Sequence, residues 1–324
     1  METFSLSLTF RDMGHKVSLV LSSGGARGLA HIGVIEALEE HGFEIVSVSG
    51  TSMGAIVGGA YAAGKFPEFK EWMLALDKRE VFKLVDFTVS LKGFIRGDRV
   101  FREFSKILPD CPIEELPVKF TAVAADLQKQ EEVAFDHGSL HHALRASIAI
   151  PTVLTPVFTD GKELVDGGIL NPVPIAHVER QANDILVVAN VNAIMPYTRM
   201  SLQEKEAAAV PETPMVSGSS SMLSFDDKRL NAFLKKWRSL LPSSSQKSPS
   251  IPKLSFFEVV TRSIDLMQDR ISSLQMELSK PDMLINFSRQ ACTTYEFYRA
   301  KEMIEEGRCV AEKAIATYLE NQDK

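Results

Sequence analysis

The stretch Val46-Ser47-Val48-Ser49-Gly50-Thr51-Ser52-Met53-Gly54-Ala55-Ile56-Val57 constrains the fold more than any other. Ile45 to Val48 reads as a short strand. The small residues after it read as a helix running to about Ala63, with Gly64 placed to cap it in the left-handed conformation. A chain that passes from strand to helix so abruptly has no room for side chains beside the corner, and Gly50 and Gly54 remove them on either side of Ser52. Such a turn pushes a serine hydroxyl out at the top of a sheet. The helix N-terminus behind it favours an anion forming there. Gly-x-Ser-x-Gly alone also arises by chance, but its strand–turn–helix context favours a nucleophile elbow.

Upstream, Val17 to Leu21 is a compact apolar run of the kind found in buried parallel strands. Ser22-Ser23-Gly24-Gly25-Ala26-Arg27-Gly28 follows, and then a helix-period segment from Leu29 to His41 that Gly42 ends. The glycine-rich turn is a poor nucleotide-binding motif, because Ser23 stands where the first glycine of G-x-G-x-x-G belongs and no Gly-Lys-Ser/Thr is present. It is either a tight turn only or an anion pocket built from the backbone N–H groups of Gly24, Gly25 and Ala26, facing Ser52.

Further along, Lys65 to Phe104 is mixed and partly basic, and Gly93 to Asp98 reads as a loop before a short helix to Leu108. Val118 to Ala125 reads as a strand that Glu132 to Asp136 pairs with, and His141 to Ile148 as a helix. Glu163-Leu164-Val165 is a short strand delivering Asp166-Gly167-Gly168, and Ile185 to Val191 another buried strand. Phe256 to Leu278 reads as a long amphipathic helix, Met283 to Phe287 as a last strand, and Phe297 to Leu319 as a terminal helix.

Composition narrows the class. With 45% hydrophobic and 24% charged residues in 324, the chain has ample material for a core. A net charge of -6 argues against nucleic acid as a partner. Cys111, Cys292 and Cys309 show no metal-ligand spacing, so neither a metal nor a cofactor is expected, and they read as reduced thiols in a cytoplasmic protein. Met1 to Lys16 lacks the pattern of a secretory signal, and no run approaches the ~20 apolar residues of a membrane span.

Acyl transfer needs a nucleophile, a base and oxyanion donors. Ser52 is the candidate nucleophile, and two bases compete. His177 follows Asp166 in the order a Ser-His-Asp esterase requires, but lies in the helix-like stretch Pro174 to Gln181. The other base is Asp166 itself, which Gly167 and Gly168 leave free to approach Ser52. A carboxylate of ordinary pKa near 4 is a poor base, yet it serves if the pocket is dry and the oxyanion site takes up the developing charge.

Taken together, these blocks resemble the bacterial patatin-like phospholipase family. The resemblance is carried by Ser23-Gly24-Gly25-Ala26-Arg27-Gly28 with Leu29-Ala30-His31-Ile32-Gly33-Val34, by Gly50-Thr51-Ser52-Met53-Gly54, by Ala146-Ser147-Ile148-Ala149-Ile150-Pro151, and by Asp166-Gly167-Gly168 with Asn171-Pro172-Val173-Pro174. These lie in family order over about Val17 to Val191. The resemblance implies an α/β fold, a three-layer α/β/α sandwich with a mostly parallel central sheet and a C-terminal helical insertion. It implies a lipid acyl hydrolase working through a Ser52–Asp166 dyad without a metal, on a phospholipid or another acyl ester. Ser23 departs from the family's usual glycine, and Arg27 reads as structural or charge-balancing. A non-catalytic regulator or scaffold on the same fold is the remaining alternative, against which the intact Ser52 and Asp166 speak.

The chain divides into a catalytic core over 1–195, a lid-like insertion over 196–252, rich in Ser, Pro, Lys and Met, and a helix–strand–helix return over 253–324. Within the insertion, Leu230, Phe233, Leu234, Trp237 and Leu241 share one face of a basic helix over 226–241. That face suits peripheral contact with an anionic membrane surface, the enzyme's own core or a second subunit.

Overall fold

The computed structural model describes residues 15–84, 98–151, 153–197, 199 and 256–322. In chain order the first half comprises β1 (His15–Leu21), α1 (Ala30–Glu40), β2 (Phe43–Thr51), α2 (Met53–Ala62), α3 (Phe66–Ala75), α4 (Lys78–Leu84) and α5 (Asp98–Ile107). The second half comprises β3 (Lys119–Asp126), β4 (Glu131–Phe135), α6 (Leu140–Ser147), β5 (Val157–Thr159), β6 (Lys162–Asp166), β7 (Ile185–Ala193), α7 (Phe256–Ser279), β8 (Met283–Ser288) and α8 (Ala300–Gln322). The expected helix over 226–241, all of the expected Gly93–Asp98 loop but its last residue, which opens α5, and nearly all of the expected insertion lie outside the described residues.

One mixed sheet of eight strands organises the chain, in the order β5-β6-β3-β2-β1-β7-β8, with β4 also paired to β3. β3, β2, β1, β7 and β8 run parallel, while β4, β5 and β6 add antiparallel pairings at one end. Helices cover both faces, as a parallel sheet of apolar strands requires. On one face Leu19, Leu21, Val187 and Ala189 pack with Ile32 and Leu38 of α1, Val57 of α2 and Met303 of α8. On the other, Val20, Leu186 and Val188 meet Val173, Ile175 and Val178, with Met276 of α7 against them. This is the three-layer α/β/α sandwich. Among the described residues no helix is long and apolar enough to cross a membrane.

β2 owes its second face to a bulge. Val17 pairs with Ile45 but Ser18 with Ser47, so Val46 is an extra residue that re-aims the remainder of the strand. Ser47, Ser49 and Thr51 thereby line up against the segment 171–179. Their hydroxyls donate to the carbonyls of Glu179 (2.6 Å), Pro174 (2.9 Å) and Asn171 (2.9 Å). The expected helix-like stretch Pro174 to Gln181 is therefore corrected: only Ile175–His177 forms a 3-10 turn, because the backbone here spends its carbonyls on β2 side chains instead of on a helix. Two helices, α3 and α4, occupy the first part of the mixed region after Lys65, and Phe66, Phe69 and Met73 of α3 are buried at helical spacing. β5 was not foreseen. Three residues between turns give no period to read.

Candidate active site

The elbow is as tight as its glycines require. A Cβ on Gly50 would stand 2.5 Å from the Gly54 carbonyl group, and one on Gly54 would run into the carbonyl oxygens of Leu21 and Ser22. Ser52 sits at φ 56 and ψ -121, a conformation that side-chain-bearing residues avoid. Its carbonyl accepts the N–H groups of Ala55 and Ile56, which starts α2. Its hydroxyl donates to Asp166 Oδ2 at 2.5 Å. Both residues are buried, at 4% and 6% exposure.

Register explains how a residue 114 positions away reaches Ser52. β4 runs along one edge of β3 over Ala122–Asp126, so β2 and β6 share the other edge. Thr51, the last residue of β2, pairs with Val123, and Asp166, the last of β6, pairs with Ala124. The two strands abut end to end on β3, and the side chains at the seam meet. Gly167 lies so close to the Val123 carbonyl that a Cβ there would collide with it.

Asp166 is held on every side. Its N–H donates to the Ala149 carbonyl at 2.9 Å, and its Oδ1 accepts the Gly168 N–H at 2.8 Å. Gln268 of α7 donates in turn to the Gly168 carbonyl at 2.9 Å. Burial raises the Asp166 pKa from 3.8 to about 6, while the Ser52 hydroxyl and the Gly168 N–H pull the other way. Desolvation wins because no cation takes part in the balance. The result is a carboxyl group poised to exchange a proton near neutral pH.

The glycine-rich turn lies against this pair. A Cβ on Gly168 would stand 3.3 Å from Ser23 Oγ, and one on Gly28 2.6 Å from Met53. The Ser23 N–H donates to the Pro172 carbonyl at 2.8 Å, and the Ala26 N–H to the Thr294 carbonyl at 2.9 Å. Of the three candidate oxyanion donors Ala26 is thus already engaged. Gly24 and Gly25 are the ones whose N–H groups carry no hydrogen bond among the described residues. Arg27 braces the turn from behind, donating to Asn192 Oδ1 (2.9 Å and 3.2 Å) and to the Cys292 carbonyl (3.1 Å). His177 is elsewhere: its Nε2 meets Glu132 Oε2 at 2.7 Å, and Asn171 shares that carboxylate. Among the described residues no group of His, Cys, Asp and Glu could hold a metal ion.

Ser147 and Ala149 contact the pair directly, and Gln268 reaches it through Gly168; none of the three carries a local signal of that role. Ser147 and Ala149 lay in a block recognised only as a pattern, and nothing in the amphipathic stripe of α7 marks one glutamine above another.

A serine at a strand–turn–helix elbow in a three-layer α/β/α sandwich, with a desolvated carboxyl group as its neighbour, fits a class of hydrolases that works on acyl esters. The chain belongs to the patatin-like phospholipase family, whose sequence profile matches residues 19–178. It is accordingly a lipid acyl hydrolase. An NTE family protein of Mycobacterium tuberculosis is 35% identical over 341 residues, covering 95% of this chain and 94% of that protein. Lysophospholipase nte1 of Emericella nidulans is 32% identical over 200 residues, covering 58% of this chain and 12% of that one. VipD of Legionella pneumophila, a solved structure, overlays 94% of this chain and 67% of its own at 15% identity and a TM-score of 0.46.

Proposed function

We propose that Ser52 and Asp166 form the catalytic dyad of a lysophospholipase- or phospholipase A-type reaction, with Gly24 and Gly25 as oxyanion donors. The 2.5 Å hydrogen bond from Ser52 to a carboxylate whose pKa stands near 6 carries the reading. As Ser52 Oγ attacks the acyl carbonyl, its proton passes to Asp166 Oδ2. The carbonyl oxygen becomes an oxyanion, stabilised by N–H groups whose positions are fixed before the reaction. Asp166 then returns the proton to the departing alkoxide of the glycerol backbone, leaving an acyl-serine. A water molecule, deprotonated by the same carboxylate, releases the fatty acid and restores both groups. No histidine is needed, and the engagement of His177 with Glu132 supports that.

The test is hydrolysis of a lysophospholipid panel, with fluorophosphonate labelling in parallel, by the purified chain and its Ser52→Ala and Asp166→Asn variants. Both variants should lose turnover by orders of magnitude, since members of a catalytic unit fail together. Labelling of Ser52→Ala at the wild-type rate would remove Ser52 from the reaction.

A further inference from the structure

Ser147 closes α6 and is fully buried, and its hydroxyl has two partners. It accepts the Ser52 N–H at 2.9 Å and donates to the Val123 carbonyl at 2.7 Å. Val123 is the β3 residue that pairs with Thr51, one position before Ala124 meets Asp166. The hydroxyl therefore sits in the seam where β2 turns away and β6 arrives, bridging the peptide of one strand end to the strand that carries both. Two residues on, the Ala149 carbonyl accepts the Asp166 N–H. One short segment thus grips the main chain of both members of the pair.

The grip matters because Ser52 is strained. A non-glycine residue at φ 56 and ψ -121 persists only where its surroundings over-determine it. α2 takes the Ser52 carbonyl, Asp166 takes the hydroxyl, and the N–H has Ser147. We propose that Ser147 is a positioning residue for the hydrolase reaction, its hydroxyl pinning the Ser52 peptide so that Oγ stays aimed at Asp166. Without it the buried N–H has no partner, and the peptide is free to rotate toward a relaxed conformation that turns Oγ off its line. Ser147 touches neither the substrate nor the moving proton, so its loss slows the chemical step and leaves binding alone. Asp166 then keeps the Gly168 N–H but loses the Ser52 hydroxyl, one of the two bonds that hold its pKa down, so the pH midpoint moves upward.

This inference rests on Ser52 being the nucleophile, and the experiment separates the two. Fluorophosphonate labelling of the purified full chain, resolved into kinact and KI over a pH series, is compared for wild type, Ser147→Ala, Ser147→Cys and Ser139→Ala. Cysteine keeps the shape of serine but is a weak donor and acceptor, so it stays informative where the alanine variant fails to fold. Ser139 is the control, a hydroxyl at the other end of α6 that accepts the His142 N–H at 3.0 Å and meets Asp110. Its loss weakens the same helix far from the seam. Ser147→Cys and folded Ser147→Ala should lower kinact by about ten- to hundredfold with KI unchanged and the pH midpoint raised, while Ser139→Ala labels normally with the wild-type midpoint. Wild-type kinact in Ser147→Cys overturns the proposal, as does an equal loss in Ser139→Ala. Persistent labelling of Ser52→Ala would overturn it together with the dyad itself, whereas its loss there with normal labelling of Ser147→Cys overturns the positioning role alone.

Discussion

Replacing Asp166 with Asn separates what the carboxylate does for the reaction from what it costs the fold. In the folded chain the carboxyl group titrates near 6 because burial disfavours its charged form, against 3.8 in the unfolded chain. At about 1.4 kcal/mol per pH unit, ionising it costs the native state about 3 kcal/mol at any pH well above 6. The sign comes from proton binding. Between these two values the native state holds the proton that the unfolded state has released, so this group's contribution to stability falls as pH rises. Asparagine has no charge to desolvate and so escapes the penalty. The stability gap between Asp166→Asn and wild type should therefore widen by about 1 kcal/mol in favour of the variant from pH 5 to pH 7, then level off. Urea unfolding of both proteins across that range measures it, and the double difference cancels every other titrating group. Labelling of wild type should rise through a midpoint near 6 as the base ionises, while the variant labels negligibly at every pH. A gap that stays flat or narrows from pH 5 to 7 would refute the account of a desolvated carboxylate.

The geometry sets three further outcomes. Gly25→Val puts a β-branched residue at φ 55, with its Cβ 2.6 Å from the Thr294 carbonyl oxygen; displacing one oxyanion donor should slow labelling by about 100-fold or more, and near-normal labelling would remove the turn from the oxyanion site. His177→Ala loses only a half-exposed contact with Glu132 and should hydrolyse at close to the wild-type rate; collapse of turnover would restore a histidine base. Thr51→Val keeps the shape but drops the hydrogen bond to the Asn171 carbonyl, which should cost about 1 kcal/mol in urea unfolding and is checked by the shift in midpoint.

Much of this molecule is legible along the chain. β1, β3 and β7 are runs buried on two faces, and α7 and α8 are long helices with repeating patterns, so each stands close to its expected bounds. Ser52 and Asp166 are marked by glycines that the backbone itself requires at the elbow and the seam. The features that escaped were decided by distant partners. The 171–179 segment forms no more than one 3-10 turn because alternate β2 hydroxyls claim its carbonyls, a fact spread over residues 120 and more positions apart. Ala26 looked equivalent to its glycine neighbours until Thr294, from the far end of the chain, took its N–H. Ser147 meets Ser52 and Val123, and Gln268 meets Gly168, through hydrogen bonds that no local period encodes.

The seam also bears on why a serine–carboxylate pair would suffice without an imidazole between them. A carboxylate at 3.8 is a weak base for a serine proton, and a histidine relay is one remedy. The other is to raise the carboxylate's own basicity, which burial does here by about two pH units without any cation to offset it. Such a group must touch the hydroxyl directly, since a relay would need room that a closed site lacks. End-to-end strands on β3 supply that contact, with Thr51 and Asp166 on consecutive β3 partners. Gly167, against the Val123 carbonyl, leaves the turn after Asp166 no side chain to force the strands apart. The arrangement carries its own liability. A carboxylate desolvated enough to act as a base destabilises the fold that holds it, and that strain is borne where the pair donates to Ser147 and Ala149 and accepts from Gly168, whose carbonyl Gln268 holds in turn.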